Sequence, residues 1–505
     1  MNTPFYQDEY LQKEHIIREL ENLSGSIDPS SQNLSIILAA GHGKRIKSEK
    51  SKMLHQIWGK PSLLRVCEAA ASGLESDNQI VVVGIKALEV GGALGKRKNR
   101  VFVYQEEQKG TGDAVKTALE YKGLTCFQGN VYVFPGDMGL LSAETVKNFK
   151  ENFTSSNCHM MVMTGFFTGD IQDNYYGRII KSKANHSEVI EIKEHRDILA
   201  MRGGEKYTVH FKRNTEQFTR DELLNIREFN TGVYAFQLEP LKKYIYHITT
   251  DNVQGEIYVT DLIKIFNDNN LKVASSRVTN NHLVVAFNVK SVLTRMEGTF
   301  RSMVYEKLKD IISIDDPEDF FIAEETVQRI IEMDSHSPAL DIIVGKGTYI
   351  GENVRINRGL AVERHATLRG NIKIGKNVTI GENVFLSTYP DQTMEIGNNV
   401  QILRGTVIKG RVKLGNNVRI ETGVRITGSS SEPVIIGNNV LIKGMTYIFG
   451  SVVEDDILIE HSILKSMYVE RVVKKSGEIQ PIKYILPPPK GLDSISERNR
   501  ASSST

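Results

Sequence analysis

Leu34–Lys52 reads LSIILAAGHGKRIKSEKSK, and the organisation of the chain follows from it. Leu34 to Leu38 are mostly aliphatic, as a strand buried on both faces of a parallel sheet must be. Ala39, Ala40 and Gly41 then remove side-chain bulk where the strand ends, and Gly43 allows a second sharp backbone move. Arg45 and Lys52 follow as cations. A polyphosphate needs amide donors close in and positive charge around it, and this stretch offers both. Two common phosphate loops do not fit. No Gly-Lys-Ser/Thr is present for a P-loop, and Ile46 stands where a dinucleotide fingerprint needs its third glycine.

A chain of 505 residues is too long for one core, so two or more domains are expected. The net charge of +2 gives no basis for nucleic acid or an acidic membrane surface as partner. Cys67, Cys126 and Cys158 lie far apart without CxxC spacing, which argues against a zinc site or a disulfide framework and suits a reducing compartment. No apolar run approaches a membrane span, and the polar, acidic N-terminus lacks a signal-peptide core. A cytoplasmic protein is expected.

LAAGHGKR…SKMLHQIWGKP resembles the opening signature of the sugar-nucleotide pyrophosphorylases, and LHQIWGKP specifically that of the bacterial N-acetylglucosamine-1-phosphate uridyltransferase family. The resemblance implies a Rossmann-like α/β nucleotidyltransferase domain with a mostly parallel sheet. Leu38, Ala39, Ala40 and Gly41 would lie against the nucleotide, with Arg45 and Lys52 as the catalytic cations. Gln105-Glu106-Glu107-Gln108-Lys109-Gly110-Thr111-Gly112 is similar to the family's uracil-binding QxEQxGTG, which assigns Gln105, Gly110 and Thr111 to the base. The family usually has His after GTG; here it is Asp113. The strand-like Val131–Phe134 ends in Pro135-Gly136-Asp137, where the family places nucleotide contacts and a magnesium-binding Asp. AFNVKSVLTRME matches the segment that carries the second metal ligand, here Asn288. One carboxylate and one amide oxygen leave room for the waters and phosphate oxygens that Mg2+ prefers.

Sugar contacts follow from the same resemblance. Tyr176-Gly177-Arg178-Ile179 resembles YGRI, Glu194-His195-Arg196-Asp197 the stretch with the sugar-binding Glu, and Glu228-Phe229-Asn230-Thr231-Gly232 resembles EINTG. Asn252 to Asp261 resembles NxQGEYYLTD and contains Thr260. Gly177, Glu194, Asn230 and Thr260 are thereby the expected sugar-binding residues, with Glu191 a rival to Glu194 because the preceding loop differs in length. Between Asp197 and Asn230 the chain is longer than the family, which puts sugar identity in question.

Along the chain, Tyr10 to Leu23 has helical apolar spacing within an N-terminal helix and linker over 1–33. Strands and helices alternate through a nucleotidyltransferase domain at 34–290, and 291–338 reads as a helical connector including Pro317–Met333. From 339 to 474 aliphatic residues recur every six positions: Val344, Ile350, Ile356 and onward to Leu386, again from Ile396 to Ile426, and again from Ile436 to Ile448. Asn-Val pairs recur with them. A triangular coil with one short strand per face has that period, and stacked coils bury a continuous column. The pattern resembles the hexapeptide-repeat left-handed parallel β-helix, which implies a homotrimer. Residues 475–505 read as an extended or disordered tail.

In the bifunctional members of the family the β-helix acetylates glucosamine-1-phosphate through segments resembling RxRPG, GHLTYLGD and NYDG. None occurs between Ala339 and Lys474; His365 and His461 lie in other contexts. The expectation is therefore uridylyl transfer from UTP to N-acetylglucosamine-1-phosphate without glucosamine acetyltransferase activity. The alternatives are another sugar-1-phosphate or nucleotide on the same fold, and a catalytically inactive scaffold subunit.

Overall fold

In β1 (Asn33–Ala39) alternate side chains enter two different cores. Ile37 and Ala39 pack with Val81, Val83 and Phe134 on one face; Leu34 and Ile36 pack with Ile80, Val82 and Val133 on the other. Burial of each such aliphatic side chain stabilises the sheet by about 1.5–3 kcal/mol. The computed structural model describes residues 4–483 apart from 42, 183–187, 203, 213, 251–254 and 336–338. Asn252 and Gln254 of the expected sugar segment, and the tail beyond 483, lie outside the described residues. The chain divides into two compact units, Met1–Glu297 and Gly298–Thr505.

Among the described residues the first unit is built on a nine-stranded sheet. Its strands are β1, β2 (Gln79–Val83), β3 (Arg100–Tyr104), β4 (Asn130–Pro135), β5 (Met160–Phe166), β6 (Arg178–Lys181), β7 (Val189–Lys193), β10 (Glu228–Gln237) and β11 (Val273–Arg277). Between β7 and β10, the separate hairpin β8 (Lys206–Phe211) and β9 (Asn214–Thr219) holds the added residues. The main path runs β11-β5-β10-β4-β1-β2-β3, parallel except for β10, which is antiparallel to both neighbours. The chain leaves β1 toward β2 and β3, then crosses back to β4 on the other side of β1. That reversal opens a crevice at the carboxyl ends of β1 and β4, the usual place for a ligand in such sheets.

Helix α1 (Pro4–Leu23) packs Leu20 and Leu23 against Gly91 of α3 (Ala87–Leu94), which follows α2 (Ser62–Leu74). The residues after α1 close the sheet edge: Gly25 N–H donates to Arg100 O at 2.7 Å and Ser26 N–H to Lys98 O at 2.9 Å. The inserted hairpin builds a small core of its own from Ile180, Ile190, Ile198, Val209, Phe211, Phe218 and Leu223.

The second unit is a left-handed parallel β-helix of three sheets. One sheet stacks Val344, Val362, Ile380, Ile402, Ile420, Ile442 and Ile459; the others stack Ile350 to Leu464 and Ile374 to Val469, all buried. The Asn-Val repeat has a structural cause. Asn377, Asn399, Asn417 and Asn439 take φ of 56–58° at the corners, a conformation asparagine tolerates. Their amides form a ladder of hydrogen bonds at 3.2, 3.0 and 2.9 Å, while the following valines point inward. Ladder partners are 18 residues apart, or 22 where the loops after Ser387 and Ser429 intervene, and 17 at the last step.

The connector differs from its reading as helix over Pro317–Met333. Phe320–Ile322 is a strand paired with Thr348–Ile350, and Phe321 stacks on Tyr349 at 4.6 Å; the helix runs only over Glu324–Ser335. The run Phe320-Phe321-Ile322 gains more by covering the open end of the coil than it would in a half-exposed helix. Ile482–Lys483 likewise pairs with the strand Leu458–Glu460. Because each coil contacts only its neighbours, Ile420→Ala, at a fully buried position, is expected to cost about 2–5 kcal/mol in denaturant unfolding of the full chain. A cost under about 0.5 kcal/mol would contradict the stacked-column description.

Candidate active site

The exits of β1 and β4 are tied together: Gly136 N–H donates to Leu38 O at 2.9 Å. Asp137 therefore projects at the carboxyl edge, 8% exposed. After Ala39, Ala40 and Gly41 the loop folds back at Gly43, whose φ of +59° favours glycine. A Cβ at Gly43 would come 2.8 Å from Lys52 Cβ, so the absence of a side chain lets the loop close on Lys52. The Lys52 ammonium, nearly buried, ion-pairs with Asp137 and donates to Asn288 Oδ1 at 2.7 Å. The Phe287 ring lies 5.6 Å from the same nitrogen. Lys52, Asp137 and Asn288, separated widely in sequence, thus meet at one point. Arg45 stands exposed in the turn Lys44–Ile46 of the same loop and makes no hydrogen bond or ion pair among the described residues.

A carboxylate and an amide oxygen converging on one cationic nitrogen are oxygen donors of the kind a hard divalent cation takes. No group of three or more His, Cys, Asp or Glu able to hold an ion occurs among the described residues, and a hard cation held by one carboxylate and one amide oxygen keeps room for phosphate oxygens and water. The residues fit magnesium on those terms. His55 was not singled out in the sequence, although it lies within LHQIWGKP. Its ring meets Phe287 edge-on at 6.3 Å, and burial, with Lys50 and Lys290 nearby, holds its pKa below the usual value.

On the far side of β1, Gln105 follows β3 and is 4% exposed. Its N–H donates to Val83 O at 2.8 Å and its side-chain Nε2 to Asp113 Oδ2 at 2.7 Å. Gly110 and Thr111 open α4 (Thr111–Leu119). This loop is laced to the chain before Thr260: Gly112 N–H donates to Ile257 O, Ile257 N–H to Lys109 O, and Val259 N–H to Thr111 Oγ1. Thr260 is buried and leads into the helix Asp261–Asp268.

Gly177, Glu194 and Asn230 are brought together. Asn230 N–H donates to Gly177 O at 2.9 Å, and a Cβ on Gly177 would sit 2.9 Å from Glu194 Oε1. The Asn230 amide bonds Tyr234 Oη at 2.8 Å. The rival Glu191 is occupied elsewhere, accepting from Tyr207 Oη of the inserted hairpin. Burial, with Asp197 and Asp261 close by, pushes the Glu194 carboxyl up to about 7 against the opposing pull of Arg178. Asp261 is pushed up to about 6, chiefly by burial and then by Glu191 and Asp197.

A raised carboxyl pKa favours the folded state while the group is protonated, and that advantage is lost as pH rises from about 4.5 through about 7. Glu194→Gln is expected to be more stable than wild type at pH 8, by roughly 2 kcal/mol, with the gap closing below pH 4.5. Thermal melts of both proteins from pH 4 to 8 check this; parallel profiles would contradict it.

The family of MobA-like NTP transferase domains matches residues 35–167, and the bacterial transferase hexapeptide family, of six repeats, matches residues 393–428. The bifunctional protein GlmU of Clostridium tetani is 32% identical over 64% of this chain and 63% of its own length. That of Carboxydothermus hydrogenoformans is 30% identical over 64% of this chain and 65% of its own. The chain thus spans less than two thirds of the curated relatives it matches. A solved UDP-glucose pyrophosphorylase complexed with UDP-glucose covers 54% of this chain and 99% of its own at 12% identity and a TM-score of 0.39. Residues 35–167 are thus similar to MobA-like NTP transferase domains and residues 393–428 to bacterial transferase hexapeptide repeats, and over its matched span the chain is similar to the bifunctional GlmU proteins.

Proposed function

We propose that this protein transfers the uridylyl group of UTP to N-acetylglucosamine-1-phosphate, giving UDP-N-acetylglucosamine and pyrophosphate. The observation that carries the reading is the meeting of Lys52, Asp137 and Asn288 at the strand exits of a nucleotidyltransferase sheet. An oxygen of the sugar phosphate attacks the α-phosphorus of UTP in line. The new P–O bond forms as the bond to the β-phosphate bridge breaks, and pyrophosphate leaves. The attacking oxygen is already anionic, so no general base is needed and the protein's work is positioning and charge neutralisation. Leu38 to Gly41 and Gly136 border the nucleotide, Arg45 and Lys52 neutralise the triphosphate, and Gln105, Gly110 and Thr111 hold the base. Gly177, Glu194, Asn230 and Thr260 hold the sugar. Asp137 and Asn288 would hold magnesium, which would supply neutralisation of charge on the phosphate oxygens.

In the same reading the β-helix assembles the protein as a homotrimer and carries no glucosamine acetyltransferase. The reaction runs in the cytoplasm on small molecules alone, without nucleic acid or membrane. The test is pyrophosphate release with UTP, magnesium and a panel of sugar-1-phosphates. Release with N-acetylglucosamine-1-phosphate supports the reading. Release only with another sugar overturns the substrate and directs attention to residues 198–229; silence from folded protein overturns the activity. Free CoA formed from acetyl-CoA and glucosamine-1-phosphate would overturn the assignment of the β-helix.

A further inference from the structure

The pair Gln105–Asp113 stands where the chain departs from the uridyltransferase pattern. A side-chain amide has one face that donates and one that accepts, and either can be turned toward a ligand. Here the choice is made. A carboxylate oxygen can only accept, so the atom facing Asp113 Oδ2 at 2.7 Å must be Nε2. Backbone and neighbours hold the rest of the residue: Gln105 N–H donates to Val83 O, and Gln105 O accepts from Gln108 Nε2 at 3.2 Å. Oε1 accepts from nothing among the described residues, yet it is not among the buried unpaired atoms. In a residue 4% exposed, that oxygen therefore keeps some access to open space. The other polar side chains of the loop are engaged: Glu106 with Lys13, and Glu107 with Lys109.

We propose that Asp113 is a positioning residue that selects the base, by fixing Gln105 with its carbonyl oxygen toward the nucleotide so that only a base presenting a ring N–H is accepted. The inference rests on the uridylyl reading above and on Gln105 facing the base. Uracil offers N3–H to that oxygen. Cytosine has a bare acceptor at N3, so two acceptors would face each other, and an unpaired buried polar group is what discriminates strongly between otherwise similar substrates. Asp113 also sits in the first turn of α4, where any acid is favourable to the helix. That structural role would change stability and leave base choice alone, so the two roles separate in experiment.

The experiment compares kcat/KM for UTP and CTP in wild type, Asp113→Asn and Asp113→Ala. An asparagine can donate to Oε1 as readily as accept from Nε2, and alanine leaves the amide free to turn. Both variants are expected to lose about 10- to 100-fold of the UTP:CTP ratio, with CTP use rising relative to UTP. A folded variant whose ratio stays within about twofold of wild type overturns the proposal. The wild type gives an independent measurement: 3-methyl-UTP, which lacks the ring N–H, is expected to be used no better than CTP, and use equal to UTP overturns the proposal. Wild type that turns over neither nucleotide removes the uridylyl reading and this inference together, whereas turnover of UTP with an unchanged variant ratio removes this inference alone.

Discussion

Asp137→Asn is expected to lower kcat for uridylyl transfer by about 10²–10³-fold while leaving the protein folded. The substitution keeps the side chain's volume and one oxygen, but removes the charge that meets Lys52 at the exit of β4. Asp137 is 8% exposed and held in place because Gly136 N–H is bonded to Leu38 O, so the carboxylate has little freedom to be replaced by a neighbour. Charge placed in advance where phosphate charge develops is worth more in such a water-poor crevice than in open solvent. The measurement is kcat at saturating UTP and magnesium, with a melt to confirm folding. Activity within threefold of wild type would show that Asp137 is only a turn residue, as an Asp after a strand can be.

Lys52→Met carries the second large effect and separates two roles of one nitrogen. The ammonium is ion-paired with Asp137 and hydrogen-bonded to Asn288, with both ion-pair partners nearly buried. Removing one member of a buried pair leaves the other charge uncompensated, so the variant is expected to lose about 3 kcal/mol of stability as well as about 10²-fold in kcat/KM for UTP. Methionine preserves the stem packed against Gly43. With the ammonium gone, the oxygens of Asp137 and Asn288 face an added divalent cation without competition. Magnesium alone is therefore expected to raise the melting temperature of Lys52→Met more than that of wild type. An equal shift would mean that the cation does not use those two oxygens.

Much of the architecture was legible because its residues obey short rules. The aliphatic run of β1 with Ala39-Ala40-Gly41 reports a strand and a place for a ligand at its end, and the six-residue period has no other economical solution. Even the Asn-Val repeat, visible in sequence without explanation, corresponds to corner residues at positive φ followed by an inward valine. What was not legible depends on long-range pairing. Phe320–Ile322 carries no hexad signal, and only its partner strand Thr348–Ile350 makes it part of the coil. The final coils shorten their spacing, so Val453, Leu464 and Val469 continue the buried column after the six-residue rule has lapsed.

In the site, the sequence points to Glu194 as the sugar contact with Glu191 as a rival, because the preceding loop differs in length from the family's. Their contacts differ: Glu194 lies against Gly177, while Glu191 accepts from Tyr207 of a hairpin whose residues give no hint of that reach. Asp113 was visible as a departure, but its bond to Gln105 required knowing that the helix start returns to the end of β3. Arg45 stands exposed and makes no hydrogen bond or ion pair among the described residues.

The measurement that bears most directly on the whole reading is pyrophosphate release by the purified full chain with UTP, N-acetylglucosamine-1-phosphate and magnesium, run beside Asp137→Asn. The expected result is stoichiometric pyrophosphate and UDP-N-acetylglucosamine from wild type, and a rate lower by about 10²-fold or more from the variant. Equal rates from both proteins, or no release from a folded wild type, would contradict it.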